Sequence, residues 1–194
     1  MDKTELTKIY ERLYFHELDR RDKIAARQAT PLGALVGLIA IIAFLLNNKP
    51  AFPTQHVAAS FWLTLGATVI ALAIGAWHFR VSWLAHNERH VATAAEIDDY
   101  HNQLEAHYAR EHNASELVDR EFSNYLLDTY RRSATTNAQN NDSRSDSLHK
   151  AGTWLTIAAC LSLMTTIPYY LGKGTSHDGQ EASSATPAPT AAAP

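Results

Sequence analysis

Three features are scarce in this 194-residue chain, and each scarcity excludes a class of protein. The single cysteine, Cys160, excludes an internal disulfide framework. A net charge of −3 argues against a nucleic-acid binder, which normally carries a basic surface. The sequence contains no recognisable nucleophile–base set and no H-E-x-x-H zinc pattern. It therefore predicts no enzyme, no bound metal and no cofactor.

Charged side chains and histidine are also absent from three long apolar runs, residues 31–46, 57–77 and 151–171. An α-helix rises about 1.5 Å per residue, so the two longer runs reach roughly 31 Å, the thickness of a bilayer's hydrocarbon core. The first run reaches only about 24 Å, so it spans the bilayer either with Thr30 and Asn47 near the interfaces or with some local thinning of the bilayer. The first two runs are joined by a short loop, 47–56, that contains two prolines. The sequence predicts an all-α integral membrane protein with three transmembrane helices, a hairpin plus one, and cytoplasmic amphipathic or coiled-coil-like helices.

The positive charges indicate an orientation in the membrane. Of the 17 Lys and Arg residues, seven lie in 1–30, one in 47–56, eight in 78–150 and one after 172. Positive residues flank the cytoplasmic ends of membrane spans. We expect a multi-pass protein of the bacterial inner membrane, surrounded by lipid, with a cytoplasmic N-terminus, an external loop at 47–56 and an external C-terminus.

The segments outside the apolar runs differ in composition. Residues 1–30 read as a cytoplasmic amphipathic helix. Residues 78–132 read as cytoplasmic helices with a break near 112–115, where Asn and Ser are suited to cap a new helix. Residues 133–150 are rich in Ser, Thr, Asn and Asp and predict a flexible linker. The Ala/Pro-rich tail, 172–194, predicts external disorder.

A step of 3.5 residues runs from His90 through His101 to Glu111 and is typical of a coiled-coil seam. We expect this seam to pack antiparallel to residues 2–28. Imidazole titrates near neutrality, so His90 and His101 are candidates for a pH-sensitive seam. Their alternative interpretation is as ordinary surface or seam histidines.

Small residues in the apolar runs are candidates for helix contacts. Gly33 and Gly37 form a G-x-x-x-G pattern, which permits close packing within the chain or between several copies. Gly75 is a third packing candidate. The pore-lining or packing face is predicted to contain Ser60, Thr64, Thr68 and Ala71. Hydroxyl groups can also bond back to their own helix, so lining and packing remain alternatives.

The opposite, bulky face of the second run is expected to meet lipid, and its members are Trp62, Leu65, Val69 and Leu72. Ion-coupled transporters normally need ionisable groups at membrane depth. Their absence from all three runs argues against that class.

An amphipathic start, Y-E-R-L-Y-F-H-E-L-D-R-R-D-K-I over Tyr10–Ile24, precedes a tight two-span hairpin and a long cytoplasmic helix. Over residues 1–130 this layout resembles the SLATT-type membrane effector domains of bacterial conflict systems. The third run and the Ala/Pro tail are additions to that plan. The resemblance implies an oligomeric anti-phage effector that forms pores when infection is sensed, with a cytoplasmic signalling partner or a nucleotide-system component. The alternative is a non-conducting scaffold that binds a cytoplasmic partner through residues 79–132.

Overall fold

The structure is a computed structural model that describes residues 2–84 and 88–184, with side chains described as far as Lys173. Its regular secondary structure over these residues is entirely helical, which confirms the all-α class for this part of the chain. The five helices, in order, are α1 (Lys3–Arg27), α2 (Ala29–Asn47), α3 (Gln55–Leu84), α4 (Ala94–Tyr108) and α5 (Ala114–Ser184). Three stretches are long and apolar enough to cross a membrane, and these are Lys3–Asn47, Gln55–Leu84 and Ala114–Lys173.

The helices belong to two compact units. The first, which we call the polar unit, comprises Met1–Ala29 and Arg80–Leu148. The second, the apolar unit, comprises Thr30–Phe79 and His149–Pro194. All three apolar runs of the sequence fall inside the apolar unit, and α3 and α5 contribute residues to both units.

Two apolar clusters hold the apolar unit together. One consists of Leu38, Ala71, Leu155 and Ala158, and the other of Leu45, Phe61, Leu65 and Tyr169. Each cluster takes residues from α2, α3 and α5. The outward surface of the same helices is also apolar, and its large exposed side chains include Val36, Phe44, Leu63, Ile70, Trp77 and Leu163. Large hydrophobic groups therefore lie on the outside as well as on the inside of this unit.

The loop after α2 packs against the end of the third apolar run. A Cβ atom on Gly172 would come within 2.7 Å of Cγ of Pro50 and 3.2 Å of the Phe52 ring. Proline is rigid, so only glycine permits this approach. The ring of Phe52 also lies 5.0 Å from that of Phe61, which connects the loop to the second apolar cluster.

The polar unit has a core that contains both polar and apolar side chains. Its buried apolar members include Tyr14, Ile24, Leu104, Val118 and Ala134. Its buried polar members include Glu17, Ser82, Ser133, Asn137 and Asn141. On α5 the buried residues Ala134, Asn137 and Asn141 lie three and four residues apart, so one stripe of this part of the helix faces the interior.

The helix boundaries differ from the sequence prediction in two places. α1 ends at Arg27 and α2 begins at Ala29, so Pro31 lies inside the first turn of α2, where its missing N–H costs no hydrogen bond. α3 ends at Leu84, and residues 88–93 are not helical, whereas helix was expected throughout this region. Thr93 and Glu96 form a reciprocal capping box that starts α4 at Ala94. The turn before α5, at 109–113, coincides with the break predicted near 112–115.

The prediction of a flexible linker at 133–150 was wrong, because this segment is part of α5. Ser133, Asn137, Asn141 and Ser147 are all buried on its interior stripe, which the Ser- and Asn-rich composition concealed. Helix also extends through Ser184, into the tail predicted to be disordered, since an existing helix propagates more easily than it nucleates. Residues 185–194 of that tail lie outside the described residues.

The pairing of helices in the polar unit also differs from the expected antiparallel seam. α1 runs parallel to α5, with Lys3 bonded to Asn124 at one end and Arg20 to Asp142 at the other. α4 pairs with the start of α5, where the Tyr100 and Tyr125 rings lie 4.3 Å apart. α5 therefore supplies the partner for both helices, and its 133–150 part, which includes Asp142, extends the pairing with α1.

Candidate functional site

The predicted small-residue face of α3 does not lie in one environment. Thr68, Ala71 and Gly75 are buried in the apolar unit, Thr64 is half-buried, and Ser60 is exposed. The buried stripe begins instead with Phe61 and Leu65 and continues at steps of three and four residues.

The bulky face is divided in the same way. Trp62 and Val69 are exposed, as expected for a lipid-facing surface, but Leu65 is buried and Leu72 is half-buried against the first apolar cluster. The interior face is therefore rotated from the one that residue size suggested. Phe61 and Leu65 contribute more apolar contact to the core than Ser60 and Thr64 can, so they take the interior positions.

The hydroxyl groups on α3 bond to their own helix. Ser60 Oγ donates to the Val57 carbonyl at 2.9 Å, Thr64 Oγ1 to the Ser60 carbonyl at 2.9 Å, and Thr68 Oγ1 to the Thr64 carbonyl at 2.8 Å. These bonds satisfy the hydroxyl donors without a partner helix or water. The same residues can therefore lie in an apolar environment at little cost.

The three glycines singled out by sequence have different surroundings. Gly75 is closely packed, since a Cβ placed there would lie 3.2 Å from the side chain of Leu155. Gly33 and Gly37 have no atom within 4 Å of such a Cβ and are exposed on α2. Gly75 thus contributes to packing within the chain, whereas Gly33 and Gly37 are not packed against any other part of the chain that the structure describes.

An apolar groove of about 440 Å³ runs between α2 and α5 in the apolar unit. Small side chains line both walls, among them Ala34 and Gly37 on α2 and Gly152 and Ala159 on α5. The open surface at Gly37 is therefore continuous with this groove.

The two seam histidines lie in different settings. His90 is exposed in the non-helical segment 88–93, outside α4. His101 is on α4, where its ring meets the Phe122 ring edge-on at 5.0 Å and its Nδ1 lies 3.8 Å from Glu105. The two histidines do not share a helical seam. Among the described residues, no group of three or more His, Cys, Asp and Glu side chains is arranged to hold a metal ion.

A short connector, residues 88–91, is fixed to the polar unit by polar contacts that sequence reasoning missed. The Asn137 side chain accepts a hydrogen bond from the Arg89 N–H at 3.0 Å and donates one to the Arg89 carbonyl at 3.1 Å. The Val91 N–H donates to the Tyr14 hydroxyl at 3.5 Å. An amide side chain that binds the backbone in this way is recognisable only once the fold is known.

Glu88 forms the ionic part of the same connector. Its carboxylate accepts hydrogen bonds from Arg21 on α1 at 2.5 Å and from Arg144 on α5 at 3.2 Å. Burial acts to raise the pKa of Glu88, but the hydrogen bonds and positive charges of the two arginines outweigh it and hold the pKa below its ordinary value. The connector is thereby tied to two helices.

These features define a helical protein in which one unit is apolar inside and outside and the other has a hydrogen-bonded polar core. Comparisons of the chain with protein-family models, with curated proteins and with solved structures gave no significant match.

Proposed function

We propose that the protein is an oligomeric effector of the bacterial inner membrane that permeabilises or depolarises the membrane in an anti-phage, abortive-infection-like system. In this proposal α2, the 55–79 part of α3 and the 149–171 part of α5 are the transmembrane helices. The N-terminus and the polar unit are cytoplasmic, and the C-terminus is external. A cytoplasmic signalling partner or a component of a nucleotide system acts on the polar unit.

The observation that supports membrane insertion is the apolar exterior of the apolar unit. Leu63, Ile70 and Leu163 are each more than 60% exposed, and no Asp, Glu, Lys, Arg or His lies within 31–46, 57–77 or 151–171. Such a surface is unfavourable in water but matches hydrocarbon. Large apolar groups on both sides of the helices are what a protein needs when lipid is its solvent.

The observation that supports self-association is the free surface at Gly33 and Gly37. Helix association in lipid depends on close backbone approach, and small residues permit it. No described atom of the same chain lies within 4 Å of a Cβ at either glycine. In the proposed oligomer it packs against a second copy, and a pore forms among the copies.

Depolarisation on expression tests this function. Cells carrying the chain and a voltage-sensitive dye should lose membrane potential, and the double variant Gly33→Leu with Gly37→Leu should abolish the loss. A Cβ at either glycine meets no described atom within 4 Å, and Gly37 opens on the groove, so we expect leucine at these positions to leave the fold of one copy unchanged. Ala43→Leu, on an exposed part of α2 away from this surface, is the matched control and should depolarise normally. Unchanged potential in cells that express the native chain, with and without phage challenge, would contradict the proposal.

The second candidate function is a non-conducting scaffold that binds a cytoplasmic partner through residues 79–132. It is favoured by the bonding of Ser60, Thr64 and Thr68 to their own helix, which uses the hydroxyl donors of these three predicted pore-lining residues. It predicts that a partner is recovered with the full chain and lost when the exposed face of α4 is substituted, while the membrane potential never changes.

A further inference from the structure

Helix α1 leaves apolar side chains uncovered on the outside of the polar unit. Ile9, Leu13 and Phe15 are 44%, 45% and 56% exposed. The other large exposed hydrophobic residues described in this unit, Trp83 and Leu84, lie at the end of α3. Ile9 and Leu13 are one helical turn apart, so their side chains are neighbours. Neighbouring apolar side chains on the surface of a polar unit indicate contact with another molecule.

Unpaired positive charges lie beside Ile9 and Leu13. Lys8 and Arg12 are exposed and form no ion pair with another described residue. Of the unpaired carboxylates of α1, Glu5 is also exposed, whereas Glu11 is half-buried and acts on Tyr130 inside the unit. Over its whole length α1 contains seven Lys and Arg residues against five Asp and Glu residues. We use the term basic face for a set of four residues, Lys8, Ile9, Arg12 and Leu13.

Helix α4 carries the opposite charge. It contains no Lys or Arg, and its carboxylates belong to Glu96, Asp98, Asp99 and Glu105. Asp98 has no partner among the described residues, and Asp99 accepts a hydrogen bond from the neutral Gln103 at 2.8 Å. Both aspartates are exposed, and the small, exposed Ala95 lies one turn before them on the same side of the helix. We use the term acidic face for Ala95, Asp98 and Asp99.

The two faces lie at opposite edges of the polar unit. α1 contacts α5 at Asn124 and Tyr130, whereas α4 contacts it at Phe122 and Tyr125. With 3.6 residues per turn, these two pairs of contacts point in directions about 180° apart around α5. α5 therefore separates α1 from α4 at this level, and the basic and acidic faces cannot meet within one chain.

The two faces also lie at the same height along α5. α1 runs parallel to α5 from the contact at Asn124, and α4 runs antiparallel to it from the contact at Tyr125. Counted from these contacts at about 1.5 Å per residue, Ile9 is level with Ala95, and Lys8 lies within about 5 Å in height of Asp98. Copies that stand side by side in the same direction can thus bring α1 of one against α4 of the next.

We propose that the basic face of one copy docks on the acidic face of a second copy. Ile9 packs over Ala95, whose small side chain permits a close approach, and the cations of one copy face the carboxylates of the other. Because the two faces differ, every copy uses both, and the contact repeats head to tail. This inference rests on the proposed function in that the copies stand in one membrane in the same direction, but it uses a surface separate from Gly33 and Gly37.

Cysteine cross-linking tests the contact in membranes from cells that express the full-length chain. In a chain with Cys160→Ser, the pair Ile9→Cys and Ala95→Cys should form disulfides between copies under a mild oxidant, which gives a ladder of dimers and larger species on a non-reducing gel. Ile9→Cys alone should remain monomeric on the gel, and so should Ala95→Cys alone, since neither position faces itself in a head-to-tail contact. Absence of a ladder from the pair overturns the proposal. So does an equal yield of dimer from either single cysteine.

Charge reversal in the chain with the cysteine pair tests the complementarity. Lys8→Glu with Arg12→Glu should lower the cross-linked fraction at least about tenfold, because it places like charges opposite each other. Asp98→Lys with Asp99→Lys should do the same. Co-expression of the two variants should restore the ladder, since each supplies the charge that the other now requires. A variant that fails to fold cannot be restored in this way, and absence of restoration overturns the proposal.

Arg110→Glu with Arg120→Glu is the matched control. Both arginines are exposed cations of the polar unit that belong to neither face, so this variant should cross-link as the unreversed pair does. An equal loss of cross-linking in the control would overturn the proposed docking. Isolated membranes require no membrane potential for this assay. A ladder without depolarisation would contradict only the proposed permeabilisation, and depolarisation without a ladder would contradict only this contact.

Discussion

Replacing Asn137 by Ala should release the connector from the polar unit while leaving the helices folded. The Asn137 side chain makes two hydrogen bonds, both to the backbone of Arg89, and alanine can make neither. Asn137 itself is almost completely buried. The variant therefore loses a donor and an acceptor at one point of attachment and exposes no large apolar surface.

The size of the effect follows from the two bonds. A hydrogen bond between uncharged groups contributes about 1 kcal/mol net, and a partner left unsatisfied raises the cost. The local opening free energy of the connector should fall by about 1–3 kcal/mol. With a factor of ten for each 1.4 kcal/mol, the open population rises roughly 5- to 150-fold.

Limited proteolysis measures this opening directly, since trypsin cleaves after Arg89 and cleavage tracks the open population when opening is fast. Mass spectrometry of the Arg89–His90 bond should show faster cleavage in Asn137→Ala by the factor above. Gln139→Ala, an exposed position on the same helix, is the control and should cleave as the native chain does. Equal rates for Asn137→Ala and the native chain would show that these hydrogen bonds do not hold the connector.

Three further predictions concern packing, pH and topology. Gly75→Leu overfills the contact with α5 and should lower the stability of the apolar unit by about 1–3 kcal/mol in detergent, whereas Gly66→Leu, at an open position, should not. The pKa of Glu88 is lower in the folded chain than in the unfolded chain. The ion pairs of Glu88 therefore stabilise the fold fully at pH values above the unfolded pKa. This stabilisation is lost as the pH falls through the lower pKa of the folded chain. Native stability should therefore drop below about pH 4.5 more steeply than that of Glu88→Gln, and parallel pH curves would refute this. Membrane orientation can be tested with single cysteines placed in a chain that lacks the native cysteine. Lys49→Cys should react with an impermeant maleimide added outside the cell, whereas Gln103→Cys should react only after lysis. The reverse pattern would refute the orientation.

The apolar segments and the helical class could be predicted from sequence because both depend on local signals. A long apolar run without charged residues predicts a helix that can cross a membrane, and this prediction does not depend on the rest of the chain. The turn before α5, at 109–113, overlaps the break predicted near 112–115, a prediction that rested on Asn and Ser as residues that are suited to cap helices.

The polar stripe of α5 could not be predicted, because its residues resemble those of a linker. Asn141 bonds the Glu17 carbonyl at 2.8 Å and the Glu17 carboxylate at 2.9 Å, yet the two residues are far apart in the chain. Such bonds make a polar helix face suitable for burial, but they exist only in the folded chain. The same limit applies to Asn137, whose partner is the backbone rather than a recognisable side-chain motif.

The rotated face of α3 has a related cause. Residue size suggested that Ser60 and Thr64 pack inside and Leu65 meets lipid, but the structure buries Leu65 and exposes Ser60. In a chain whose outward surface is also apolar, hydrophobicity does not distinguish inside from outside. The distinction depends on the shapes of the neighbouring helices, which a single sequence does not contain.

Ion leakage from liposomes that contain only the purified chain tests the proposed permeabilisation most directly. Potassium efflux should rise more steeply than linearly with the ratio of protein to lipid, because several copies form each pore. The Gly33→Leu, Gly37→Leu double variant should reduce the efflux to the level of protein-free liposomes. Efflux equal to that of protein-free liposomes at every ratio, with the chain inserted in the bilayer, would contradict the proposal and favour the scaffold.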